Sequence, residues 1–233
     1  MNRSFRLLAI SLAAVLAMAA LLAGCDGGGA TSDRQVPNQS TSSEEGLTDK
    51  PVLYLYPTQP TDISVKLDFD GRLTTTYPAY NGGWNVRAYP DGHLINKADG
   101  QEYSYLFWEG FANHPDWDMS HGYCVTGADT AAFLRQALSK LGLMPPEYNE
   151  FIVYWLPQMQ GSPYNLITFQ WAQYEKVAPL TISPPPDSTL RVFMAFSPLD
   201  HPVSIAVPAA RPAFVRRGFT AVEGGGTETQ FNP

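Results

Sequence analysis

The segment NHPDWDMSHGYC places His114, Asp116, Asp118, His121 and Cys124 within eleven residues. Imidazole and carboxylate groups are the ligands a divalent cation would use, and one loop could bring three of them together. His114, Asp116, Asp118 and His121 are therefore the candidate metal ligands. Their spacing matches no zinc pattern, and the stretch lacks the glycine-bearing loop of an EF-hand. The sequence is read as a polar surface loop ahead of a helix, with no metal and no cofactor.

Two further residues could take part in catalysis. Cys124 with His121 could form a nucleophile and base, because a thiolate needs a basic or cationic neighbour to lower its pKa. An unpaired cysteine in the apolar run Tyr123-Cys124-Val125 is equally a small buried hydrophobe. Glu109, in YSYLFWEG, shares a strand face with Tyr103, Tyr105 and Phe107, and burial beside aromatic rings would raise its pKa toward that of a general acid. Asp116, Asp118 and Glu150 are the possible second carboxylates of a glycoside hydrolase. The alternative is a carboxylate facing water or paired with a cation such as Arg87. No phosphate loop, dinucleotide fingerprint, nucleophile elbow or zinc-protease helix is present.

Strands must carry most of these groups. Val52, Tyr54 and Tyr56 alternate with Leu53 and Leu55, apolar on both faces, as in a buried strand. Ile63, Val65, Leu67 and Phe69 alternate with polar residues, which predicts a half-buried strand. Asp70-Gly71 predicts a hairpin turn into a return strand through Leu73, Thr75 and Tyr77. WNVRAY, HLIN and YSYLFWEG continue this as an antiparallel meander. One helix is expected where Phe133, Leu134, Ala137, Leu138 and Leu141 share a face, started by Thr126 or Asp129, ended by Gly142 and stopped by Pro145-Pro146. FIVYWLP, YNLITFQ, LTISP, LRVFMAF and VSIAV read as later strands. The fold class is α+β, mostly antiparallel β in a meander or sandwich-like sheet, with one main amphipathic helix. Trp108, Trp117, Trp155 and Trp171 are the tryptophans whose exposure would mark a binding surface.

The ends of the chain predict its location. Arg3 and Arg6 precede an apolar run to Ala23, the layout of a secretory signal peptide. Residues 22–25, LAGC, resemble the bacterial lipobox, which implies cleavage before Cys25 and a diacylglycerol on its thiol. Acyl chains at ~0.8 kcal/mol per buried CH2 then hold the protein on a membrane, and two suffice. Asp26 resembles a retention signal for the inner membrane of diderm bacteria. The expected organisation is a signal peptide at 1–24, a flexible tether at 25–50, one folded domain at 51–223 and a flexible tail at 224–233. Loss of Arg3 and Arg6 from 15 basic residues, against 22 acidic ones, takes the net charge from −7 to −9. That balance argues against a nucleic-acid partner.

KPVLYLYP, LDFDGRLTTTYPAYNGGWNVRAYPDG, YSYLFWEG, NEFIVYWLPQM, LRVFMAF and RRGFTAVE resemble a family of uncharacterised bacterial secreted proteins and lipoproteins. The resemblance spans about residues 50 to 223 and implies one shared domain, without an activity or a site residue. The resulting expectation is a lipid-anchored extracytoplasmic module that binds an envelope protein or glycan without catalysis. The alternative is a hydrolase using Glu109 and the His114–His121 loop.

Overall fold

The computed structural model describes residues 45–113 and 115–232. The expected signal peptide, Cys25 and the expected tether up to residue 44 lie outside the described residues, as does His114. The apolar run at Val52 belongs to strand β1 (Glu45–Tyr56). Its surroundings explain its composition. One antiparallel neighbour is β7 (Leu106–Asn113), beyond which β3 (Gly71–Tyr77) forms the sheet edge. The other neighbour is β12 (Thr220–Glu228), which runs parallel to β11 (Ser188–Leu199). Beyond β11 lie β9 (Tyr164–Gln170) and the edge strand β8 (Tyr123–Thr126). The sheet thus has seven strands in the order β3-β7-β1-β12-β11-β9-β8.

A second sheet of five strands covers one face. It runs β10 (Leu180–Ser183), β2 (Thr61–Leu67), β4 (Trp84–Ala88), β5 (Leu94–Asn96) and β6 (Glu102–Tyr103). Leu53, Leu55, Trp108, Phe193 and Ala221 from the large sheet pack there against Ile63, Val65, Leu67, Trp84 and Leu94. Helices α1 (Thr130–Leu141) and α2 (Pro145–Met159) cover the opposite face, where Val52, Tyr54, Val192 and Val222 meet Leu134, Leu138, Phe151 and Trp155. Central strands between two such layers must be apolar on both sides. A short helix, α3 (Ala172–Val177), adds Tyr174 to the core between the sheets. The fold is β-rich α+β, as the composition and periodicity predict.

Local chemistry accounts for the helix boundaries. Thr126 Oγ1 accepts from the Asp129 N–H in the 3-10 turn that opens α1. Gly142, at φ 114°, ends that helix in the left-handed conformation. Pro145 then begins α2, because a first-turn proline sacrifices no intrahelical bond. Glu147 Oε2 caps the turn by accepting from the Met144 N–H at 2.7 Å.

Five expectations need correction. FIVYWLP is helical: Phe151, Trp155 and Met159 recur every fourth residue and are buried on the sheet, a period that the local β-propensity conceals. Hence the amphipathic α1 is one of three α-helices among the described residues. Strands β2 and β3 are not a hairpin, since they belong to different sheets. The chain crosses between layers there: Asp70 N–H donates to Val177 O, and Asn113 N–H donates to Asp70 O. Gly71 is required by proximity, because a Cβ would lie 2.1 Å from the Phe111 carbonyl oxygen. VSIAV contributes only an isolated bridge between His121 and Ala206. The expected tail at 224–233 is a strand as far as Glu228, and Gly224, Gly225 and Gly226 are buried in mid-sheet. Likewise β1 begins within the expected tether, at Glu45.

Candidate functional site

The 115–122 loop is held by a side chain far away in sequence. Gln170 ends β9 and is 2% exposed. Its Oε1 accepts from the Asp118 N–H at 3.1 Å, and its Nε2 donates to the Asp118 carbonyl at 2.9 Å. Nε2 also donates to Thr168 Oγ1 at 2.6 Å. One buried amide therefore satisfies both backbone groups of Asp118, as a neighbouring strand would. Replacing Gln170 with alanine leaves those groups unpartnered, at a cost of about 1–3 kcal/mol. Exchange of the Asp118 amide hydrogen is expected to accelerate about tenfold or more, the factor equivalent to ~1.4 kcal/mol. Unchanged exchange would show that something else fixes the loop.

With its backbone fixed, Asp118 organises the next turn. Its Oδ1 accepts from the Ser120 N–H at 2.9 Å and from the Ser120 hydroxyl. The hydrogen bonds from the Ser120 side chain and backbone hold the Asp118 carboxyl below the usual carboxylate range, with help from nearby His121. Ser120 Oγ also lies 2.8 Å from His121 Nδ1. A hydroxyl has one proton: donated to Asp118, it obliges Ser120 Oγ to accept from His121 Nδ1–H. This order is opposite to that of a hydrolytic triad, where the imidazole takes the serine proton. The arrangement orients His121 instead of activating Ser120.

Asp118 and His121 border a cleft of about 390 Å³ between α1, the end of β9 and the 208–212 segment. Tyr123 and Phe169 contribute apolar wall, and Lys140 reaches it from the last turn of α1. Trp171, directly after Gln170, is half-buried there, with the Arg211 guanidinium 4.1 Å from its ring centroid. Arg211 belongs to the 200–219 connection that carries β11 over to its parallel neighbour β12. That connection is tied down on both sides of the cleft. Gly122 N–H donates to Ala206 O at one end, and Arg216 forms an ion pair with buried Glu147 at the other. The size and the mixed aromatic and polar lining suit a small ligand.

The other predicted residues lie elsewhere. Glu109 is on β7, four strands from β9, or roughly 19 Å at the usual strand spacing. Arg87 is engaged by Asp62 at 3.2 Å. Glu150 binds Lys50, 3.0 Å away, near the start of α2. Cys124 sits on β8 opposite Leu166, and its Sγ accepts from the Val203 N–H at 3.5 Å. It therefore meets backbone, with no imidazole among its hydrogen-bonding partners. Asp116 borders an adjoining groove, which shares Asp118 with the cleft, beside Trp117, whose ring stacks on Phe193 at 4.8 Å. Among the described residues, no three His, Cys, Asp or Glu side chains converge as a metal site would require. Trp108 and Trp155 are core residues, which leaves Trp171 as the tryptophan of the cleft. Sequence reasoning missed Gln170, Arg211, Lys140 and Ser120. None stands in a recognised spacing, and the first two reach the loop only through the sheet order and the crossover.

No protein-family profile matches the chain, and no solved structure matches it at a significant level. A protein of Butyrivibrio fibrisolvens described as "Uncharacterized protein in bglA 3'region" is 42% identical over 96 residues, covering 88% of that protein and 40% of this chain. Identity at that level over nearly all of the relative shows common descent, and this chain belongs to the same family as the Butyrivibrio fibrisolvens protein.

Proposed function

We propose that this protein is a lipoprotein held on the extracytoplasmic face of a membrane through Cys25, whose domain binds an envelope glycan or protein without catalysis. The cleft beside Trp171 carries this reading. Its wall is rigidly built, by Gln170 on Asp118 and by Ser120 on His121, and it offers aromatic surface beside polar groups. Its serine is tied to a carboxylate, and the candidate acid Glu109 stands four strands away. Such a site holds a ligand more readily than it transforms one. Among the described residues no helix is long and apolar enough to cross a membrane, so the proposed attachment rests on residues 1–25.

Fractionation of cells tests the attachment. The wild type is expected with membranes after detergent-free washing, and Cys25→Ser in the soluble fraction with its domain folded, because the anchor precedes the first described strand by 20 residues. A variant that stays equally membrane-bound would refute lipidation. Co-sedimentation of the soluble variant with purified envelope material tests the cleft, with Trp171→Ala expected to lower binding about tenfold or more, as central aromatic contacts do.

A further inference from the structure

Arg211 and Lys140 are two cations on one cleft in a chain of net charge −7. Among the described residues, neither belongs to an ion pair, as is also true of Lys66, Arg72, Arg135, Lys176 and Arg217. The one carboxylate on the same cleft, Asp118, holds Ser120 through its Oδ1. Arg211 is nonetheless held in place. Its guanidinium lies over the Trp171 ring, on a segment tied at Ala206 and at Arg216. The Trp171 ring meets the guanidinium through its π-face, a contact that uses none of the N–H groups as a hydrogen-bond donor to an oxygen would. Those N–H groups form the fork which grips a carboxylate through two parallel hydrogen bonds. Because Arg211 covers the Trp171 ring, that ring serves first to aim the guanidinium.

We infer that the cleft takes a carboxylated sugar residue of a glycan, its carboxylate bound by Arg211 and Lys140. The inference rests on the proposed reading of the cleft as the ligand site. Phe169 and Tyr123 provide apolar surface for the ring carbons, and Asp118 Oδ2, which Ser120 does not engage, can accept from a sugar hydroxyl. The excess of cationic over anionic side chains on the cleft favours anions.

The test is a glycan array carrying glucuronate-, galacturonate-, sialate- and muramate-containing oligosaccharides beside neutral counterparts, probed with the full chain in detergent. Titration of the best binder follows. Binding is expected only to carboxylated glycans, with the neutral counterpart about tenfold or more weaker and affinity falling as salt rises. Arg211→Ala and Lys140→Ala should each weaken binding about tenfold, with Arg211→Lys losing most of the affinity because a point charge cannot replace the fork. Both side chains are exposed, so circular dichroism should show the variants folded. Equal binding of neutral glycans that Trp171→Ala abolishes would overturn the carboxylate inference and leave the cleft reading standing. Binding insensitive to all three alanine variants, or no glycan bound, would overturn both. Arg211-dependent binding confined to carboxylated peptides would overturn the sugar.

Discussion

Glu223→Ala is expected to cost about 3–5 kcal/mol, because it strands a cation inside the protein. Glu223 is fully buried in the middle of β12. Its Oε2 accepts from Arg191 Nε at 2.7 Å on the parallel neighbour β11, and its Oε1 accepts from Trp108 Nε1 at 3.2 Å. The Arg191 guanidinium also lies 4.6 Å from the ring centroid of buried Tyr174. Burial is the largest single influence and opposes the charge on Arg191, but the attraction and hydrogen bonding of Glu223 and Tyr174 together outweigh it, and the net shift of its pKa is upward. Removing the carboxylate takes away the main counterweight to burial and leaves Tyr174 alone facing the charge. Urea unfolding of Glu223→Ala, Arg191→Ala and the double variant measures the coupling. The double variant should lose much less than the two single losses together, because it leaves no unpaired charge. A single-variant loss under about 0.5 kcal/mol would place the pair among weak surface bridges.

Gly226→Ala is expected to cost about 2–3 kcal/mol, at the upper end of overpacking losses. A Cβ there would lie 2.7 Å from the Met194 carbonyl oxygen and 2.9 Å from the Trp155 ring. The carbonyl belongs to the paired strand β11, so relief requires the sheet itself to move. Gly224→Ala is the control. Its Cβ would meet Phe151 at 3.4 Å, an ordinary contact. Its unfolded chain also has less freedom to lose, so the variant should stay within about 1 kcal/mol of the wild type. Equal losses at the two positions in urea unfolding would mean that the close approach of α2 to β12 is not what requires glycine.

The sequence announces elements whose pattern is local. Ile63, Val65 and Leu67 alternate cleanly because β2 has one apolar neighbour and one face in water. Leu134 and Leu138 mark α1 by helical spacing, and Gly142 marks its end. The pattern misleads where burial is on both sides or where packing replaces turn chemistry. Phe151, Ile152, Val153, Tyr154 and Trp155 suggest a strand by composition, yet only every fourth position from Phe151 is fully buried. Gly224-Gly225-Gly226 has the composition of a linker, but Trp155 and Phe151 of α2 occupy the space that side chains would need. The candidate site was half legible. Asp118 and His121 stood out by type, whereas Gln170, Lys140 and Arg211 reach them through the sheet order, which no local window contains.

The pairing of β1 with β12 has a consequence for how the chain is made. Tyr56 pairs with Thr220, 164 positions later, and Asp49 pairs with Gly226. The last of the described strands to leave the ribosome is thus the middle strand of the large sheet, between β1 and β11. Until it arrives, the sheet is in two pieces and neither core can close. Contacts so distant in sequence make folding slow, since the entropy of closing the whole chain is lost before the contacts compensate for it. A chain exported as proposed must cross a membrane before it folds. An architecture that waits for Thr220–Glu228 keeps the preceding polypeptide threadable until that strand is made.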